Sequence, residues 1–84
     1  MQGNIKIIGS NNKYLPLGSE YRGELIANKL IVNSTAHWPQ RYYSKELTLD
    51  IKNVTIYAQH VHVDAWFVDE ESNGGRVEME LYWT

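Results

Sequence analysis

Residues 46–69 read ELTLDIKNVTIYAQHVHVDAWFVD. Leu47, Leu49 and Ile51 alternate with Thr48, Asp50 and Lys52. One face is apolar and the other wet, the period of a β-strand. After Asn53 the phase slips, and Val54, Ile56 and Ala58 take the apolar parity. Near Gln59 it slips again, to Val61, Val63, Ala65 and Phe67. In a period-two pattern a one-residue slip sends every later side chain to the opposite face. Each slip therefore marks a turn or a β-bulge. A tight turn is expected at Lys52-Asn53 and a bulge or corner at residues 58–60.

Downstream, residues 60–69 and 76–83 flank the run SNGG and read as a hairpin. A two-residue Asn73-Gly74 turn would pair Val68 with Met79. It would put Asp64 and both histidines on the same face as Val77, Met79 and Leu81. A three- or five-residue loop using Gly74 or Gly75 gives the other parity. It pairs Phe67 with Met79 and Ala65 with Leu81, and collects the apolar residues on one face. His60, His62, Asp64, Glu78 and Glu80 then share the other face with Trp66 and Val68. Burial decides register more strongly than turn preference, so this second register is expected.

Upstream, a short strand starts at Ile5–Ile8 and is ended by Gly9-Ser10-Asn11-Asn12. Residues 14–17 form a second extended piece, with Pro16 marking an edge. Residues 20–27 are open between a one- or two-turn helix and a strand. Gly23 in the middle of such a helix costs about 1 kcal/mol. The preferred reading is a hairpin in which LIA turns at Asn28-Lys29 into LIV. The fold class expected is all-β: a small antiparallel β-sandwich or partly open barrel of six to seven short strands, in a single β domain over residues 1–84. The runs GELIANKLIVNSTA and LTLDIKNVTIYAQHVHVDA also resemble rungs of a bactofilin-type right-handed β-helix. They lack its repeated glycines and regular rung period, so the antiparallel reading stands and no family is assigned.

Eighty-four residues bury only roughly 60–65% of the unfolded chain's surface, so the core is thin. Cysteine is absent, which excludes disulfide staples and thiol catalysis and points to a reducing, cytoplasmic setting. No signal peptide is visible at the N-terminus and no run is long enough to span a bilayer. The two Asn-X-Ser/Thr sequons, at Asn33 and Asn53, read as chance in such a chain. Three Trp, six Tyr and one Phe supply dense packing instead. A thin core also gains from burying a second face, so a homo-oligomer is as much expected as a monomer.

The net charge of −2 argues against a general nucleic-acid binder. Charge is uneven: residues 1–63 carry +3, and residues 64–84 carry −5. Such an acidic run most simply solvates the outer face of a hairpin.

Two constellations are candidates for function. The segment STAHWPQRYYSK, residues 34–45, lies between strands and carries Trp38, Arg41, Tyr42 and Tyr43. These residue types anchor binding surfaces, and irregular loops of this length are often functional. The local alternative is that at least one of the aromatics folds back as a lid over the core. The second constellation is His60-Val61-His62-Val63-Asp64, which puts two imidazoles and a carboxylate on one strand face. A metal there would need further ligands from His37, Glu78 or Glu80. The simpler reading is a polar outer face with histidines bonded to nearby acids, and no metal or other cofactor is expected. A ribonuclease-like trio of His37, Arg41 and Glu46 is disfavoured by the charge, and no Gly-rich phosphate loop precedes a helix.

The function expected is a small non-enzymatic protein-binding or inhibitor module, a profile shared by accessory proteins of phages and mobile elements. Its partner-binding residues would be Trp38, Arg41, Tyr42 and Tyr43. The alternatives are a carbohydrate-binding domain stacking sugars on Trp38, Tyr42 and Tyr43, and a metal-binding protein using His60, His62 and Asp64.

Overall fold

The computed structural model describes residues 1–33, 38–42 and 46–83. Six strands follow in chain order: β1 (Gln2–Ser10), β2 (Glu20–Ile26), β3 (Lys29–Val32), β4 (Leu47–Ile56), β5 (Val61–Val68) and β6 (Gly74–Trp83). Each pairs antiparallel with the next, and β6 pairs back with β1, closing an up-and-down barrel. A single short 3₁₀ turn, Gln40–Tyr42, is the only helical element among the described residues. The all-β expectation holds. The sheet is a closed barrel, not a two-sheet sandwich, because pairing of the first and last strands leaves no second sheet to stack.

Closure depends on two glycines that face each other. Gly3 pairs with Gly23 across β1 and β2. A Cβ on Gly3 would lie 2.7 Å from the Tyr82 carbonyl carbon and 2.8 Å from the Trp83 Cα. One on Gly23 would lie 2.5 Å from the Ile31 carbonyl oxygen. Only residues without a Cβ let the neighbouring backbones approach this closely. A bulge at Ile8, between Ile7 and Gly9, adds to the curvature of β1.

The lumen is filled by Ile5, Ile7, Leu30, Val32, Leu47, Leu49, Val61, Val63, Ala65, Val77, Met79 and Leu81. These are the inward positions of strands whose side chains alternate in and out. The hairpin β2–β3 turns at Ala27-Asn28, between paired Ile26 and Lys29. Ala27 adopts a φ of 53° there. This is the hairpin expected from the sequence, one residue earlier. Residues 14–17 are not a strand. Tyr14 and Leu15 are buried in the connection between β1 and β2.

Both phase slips of the 46–69 segment are real, with their kinds exchanged. The slip at Lys52-Asn53 is a bulge inside a continuous β4, where the register shifts between Ile51 and Asn53. The slip near Gln59 is the turn, closed by the Tyr57 amide donating to the His60 carbonyl at 2.9 Å. In the last hairpin the expected parity holds, but the register differs. Met79 pairs with Val63 and Val77 with Ala65. The five-residue loop 69–73 is organised by Asp69 and not by the glycines. Its Oδ1 accepts from the amides of Glu71 and Asn73, both at 2.8 Å. Gly74 (φ 138°) and Gly75 (φ 147°) follow as the first residues of β6.

Candidate functional site

An up-and-down barrel sorts its connections between two ends. The β1–β2, β3–β4 and β5–β6 loops lie at one end. The β2–β3 and β4–β5 turns lie at the other, with Met1 and Trp83.

At the first end Trp38 and Tyr42 close the barrel. Trp38 is 1% exposed. Its indole N–H donates to the Tyr14 carbonyl at 2.7 Å, and its ring stacks on Tyr21 at 6.1 Å. It is a lid over the core, the local alternative read from the sequence, and its ring is spent on that role. Tyr42 joins Tyr14 and Phe67 in a mutual edge-to-face triad, with centroids 5.4–6.1 Å apart, a favoured aromatic geometry. Tyr43 and His37, and with them those parts of the binding, metal and trio expectations, lie outside the described residues.

Arg41 is half exposed and held at both ends of its guanidinium. Nη2 bonds Asp69 at 3.0 Å, and Nη1 bonds Glu71 at 2.9 Å. Its guanidinium carbon lies 5.2 Å from the centroid of the Tyr42 ring. The Asp69 side chain is fully buried. It accepts from the Tyr14 hydroxyl, from two amides and from Arg41. The Tyr14 hydroxyl contributes most to holding its carboxyl down, followed by the Asn73 and Glu71 amides and Arg41, to about 2. Burial, then the Asp69 carboxylate, pushes the Tyr14 phenol up to about 12. Asn12, missed in the sequence, completes the clasp. Its amide nitrogen donates to the carbonyls of Phe67 and Gly75, and its oxygen accepts from the Tyr14 amide. A groove of about 320 Å³ lined by Lys13, Tyr14, Trp38 and Pro39 borders this lid.

The His60-His62-Asp64 face looks outward, as expected. Its residues contact partners on β6, with Glu78 shared between His62 and Arg76. His60 contacts Glu80 at 3.1 Å and His62 contacts Glu78 at 3.5 Å. Asp64 takes both arms of Arg76, at 2.8 and 2.6 Å, which holds its carboxyl below the usual range. Among the described residues no group of three or more His, Asp or Glu is arranged to hold a metal. Glu80 sits directly opposite His62, and Glu78 opposite Asp64. Each acid reaches diagonally to the imidazole one pair along β5.

The second end was not singled out by sequence reasoning. Ten large hydrophobic side chains are exposed among the described residues. Seven crowd this end: Met1, Ile26, Val54, Ile56, Tyr57, Tyr82 and Trp83. Ile56 is 74% exposed and Tyr57 52%. Val54 and Ile56 pair with inward-facing Val63 and Val61. They therefore continue the lumen face past the barrel wall, where nothing described covers them. His60 is sandwiched by Tyr57 and Tyr82, at 4.9 and 5.2 Å. The signal present in the sequence was the apolar parity of Val54 and Ile56; the missing knowledge was that β3 is only four residues long and leaves them uncovered.

Comparison with protein-family models, curated proteins and solved structures finds no match. No helix among the described residues is long and apolar enough to cross a membrane.

Proposed function

We propose that this chain is a non-enzymatic protein-binding module that engages its partner through the end of the barrel bearing the β4–β5 turn, Met1 and Trp83. The observation that carries the reading is the concentration of exposed apolar and aromatic side chains at that end. Exposed apolar side chains gathered at one end of a small domain mark an interaction site, and Tyr and Trp are the residues that anchor such sites. The opposite end supports the same reading by being occupied with itself. Trp38 is core, and Arg41 is committed to Asp69 and Glu71. The acids and histidines of the outer ladder are likewise satisfied by one another.

The test is affinity capture from source cells with quantitative mass spectrometry. Tyr57→Ala with Trp83→Ala is expected to lose the specific binder. Leu17→Ala, which trims an exposed apolar side chain at the lid end, is expected to keep it. Capture unchanged in the double variant contradicts the reading.

A further inference from the structure

The open end carries more than apolar side chains. β3 pairs with β4 only from Leu47 to Asp50. Beyond Asp50, no described strand lies on that side of β4, although β4 runs on to Ile56. Six residues of strand thus have β5 on one side and a free edge on the other.

The orientation of the backbone groups on that edge follows from one bond. Ile56 pairs with Val61, and the Tyr57 amide donates to the His60 carbonyl just beyond that pair. In an antiparallel ladder this makes Ile56–Val61 a non-hydrogen-bonded pair, whose own N–H and C=O groups point away from each other. Alternation gives Val54 the same orientation. The Val54 amide is met only locally, by its neighbour's Asn53 Oδ1 at 3.0 Å. The free edge therefore presents the donors and acceptors of Val54 and Ile56.

Natural edge strands are usually blunted by charge, proline or bulges turned outward. Here residues 53–58, NVTIYA, hold no charge and no proline. The bulge at Lys52 precedes the window and leaves it regular.

We infer that this edge pairs with the same edge of a second copy of the chain, antiparallel about a two-fold axis at Thr55. The inference rests on the proposed binding role of this end and names its partner. Self-pairing fits because the segment is complementary to itself. With Thr55 on the axis, Val54 of each copy faces Ile56 of the other. Their outward N–H and C=O groups exchange four backbone hydrogen bonds. The exposed Val54 and Ile56 side chains meet on one face, and Asn53 meets Tyr57 on the other. No like charges oppose each other, since Lys52 faces Ala58. The slot is also long enough, because β3 begins only at the level of Asp50. A two-fold interface of this kind is the commonest form of self-association. A stable one covers about 800 Å² per partner, roughly a sixth of the 5044 Å² surface. Side chains beyond the paired backbone must therefore join the contact, Tyr57 at 52% exposed among them.

The chain has no cysteine, so a single introduced one reports the register. The axis pair Thr55–Thr55 is a non-hydrogen-bonded pair with Cα atoms about 4.5 Å apart, within disulfide range. Under mild oxidation, Thr55→Cys is expected to form a covalent dimer at least roughly tenfold faster than Thr48→Cys, through its effective concentration at the axis. Thr48 is exposed but faces Ile31 of β3. In sedimentation the wild-type chain is expected to be a dimer. Ile56→Lys, at a 74% exposed position, is expected to be a monomer with an unchanged melting profile at high dilution. A monomeric wild type at about 100 µM, weaker than any micromolar dimer, overturns the inference, as do equal crosslinking rates for the two cysteine variants. A monomer that still captures a different protein through Tyr57 and Trp83 sinks self-pairing alone. Unchanged capture on loss of those side chains sinks the binding reading instead.

Discussion

Asp69 binds the lid end together. A carboxylate whose folded pKa is lowered adds stability above its unfolded value, near 3.9. That stability is lost as pH falls through the folded value of about 2. The chain should therefore lose stability between about pH 4 and pH 2, and Asp69→Asn should be less stable at neutral pH with a smaller loss across that window. Denaturant titrations at stepped pH check this. Tyr14 works in the opposite sense: its folded value of about 12 lies above the ordinary 10. Its contribution is complete below pH 10 and disappears as pH rises through 12. Trp38 is the packing counterpart. Trp38→Ala is expected to cost about 3–5 kcal/mol. Trp38→Phe, which leaves the Tyr14 carbonyl only its 3.3 Å bond from the Tyr21 hydroxyl, should cost about 1 kcal/mol beyond lost packing. Iodide should quench the exposed Trp66 and Trp83 and leave Trp38 emitting.

The strands show how much sequence patterning carries and where it stops. Alternation in residues 47–51 and 61–67 located β4 and β5 and the side each residue faces. Both slips in phase were legible. Which slip was the turn was not, because a bulge and a turn shift parity identically. The deciding fact is the length of pairing with β5, a long-range property. In the last hairpin the parity followed from burial, while the register followed from Asp69 bonding the Glu71 and Asn73 amides. A side-chain cap of this kind competes with the Asn-Gly signal and is invisible in a hydropathy pattern. Glycine positions make the element-scale prediction. Gly3→Ala drives a methyl into the Tyr82 and Trp83 backbone and should cost about 3 kcal/mol or more. Gly9→Ala meets only the Glu78 side chain, at 3.6 Å, and should be close to neutral. Thermal melts of the two variants compare them directly.

At the scale of the whole molecule the barrel has a closed end and an open one. The aromatic loop stood out in the sequence because Trp, Arg and Tyr are common at interfaces, yet the same residue types also build lids. Burial separates the two roles, and Trp38 falls on the lid side. The open end was not legible, because its patch assembles Met1, Ile26, Ile56 and Trp83 from β1, β2, β4 and β6 and their flanks. No local motif joins residues so far apart in the chain; only the meander does. The β4–β5 hairpin outruns β3, and that mismatch in strand length leaves both an apolar face and a backbone edge available.

The most direct test of self-pairing at the open end is a concentration series of ¹⁵N–¹H correlation spectra. Amide shifts are expected to change with concentration at residues 52–60 and at Trp83, and to stay constant at residues 38–42 and 69–73. Shifts confined to residues 38–42 and 69–73, or none at any concentration, would contradict it.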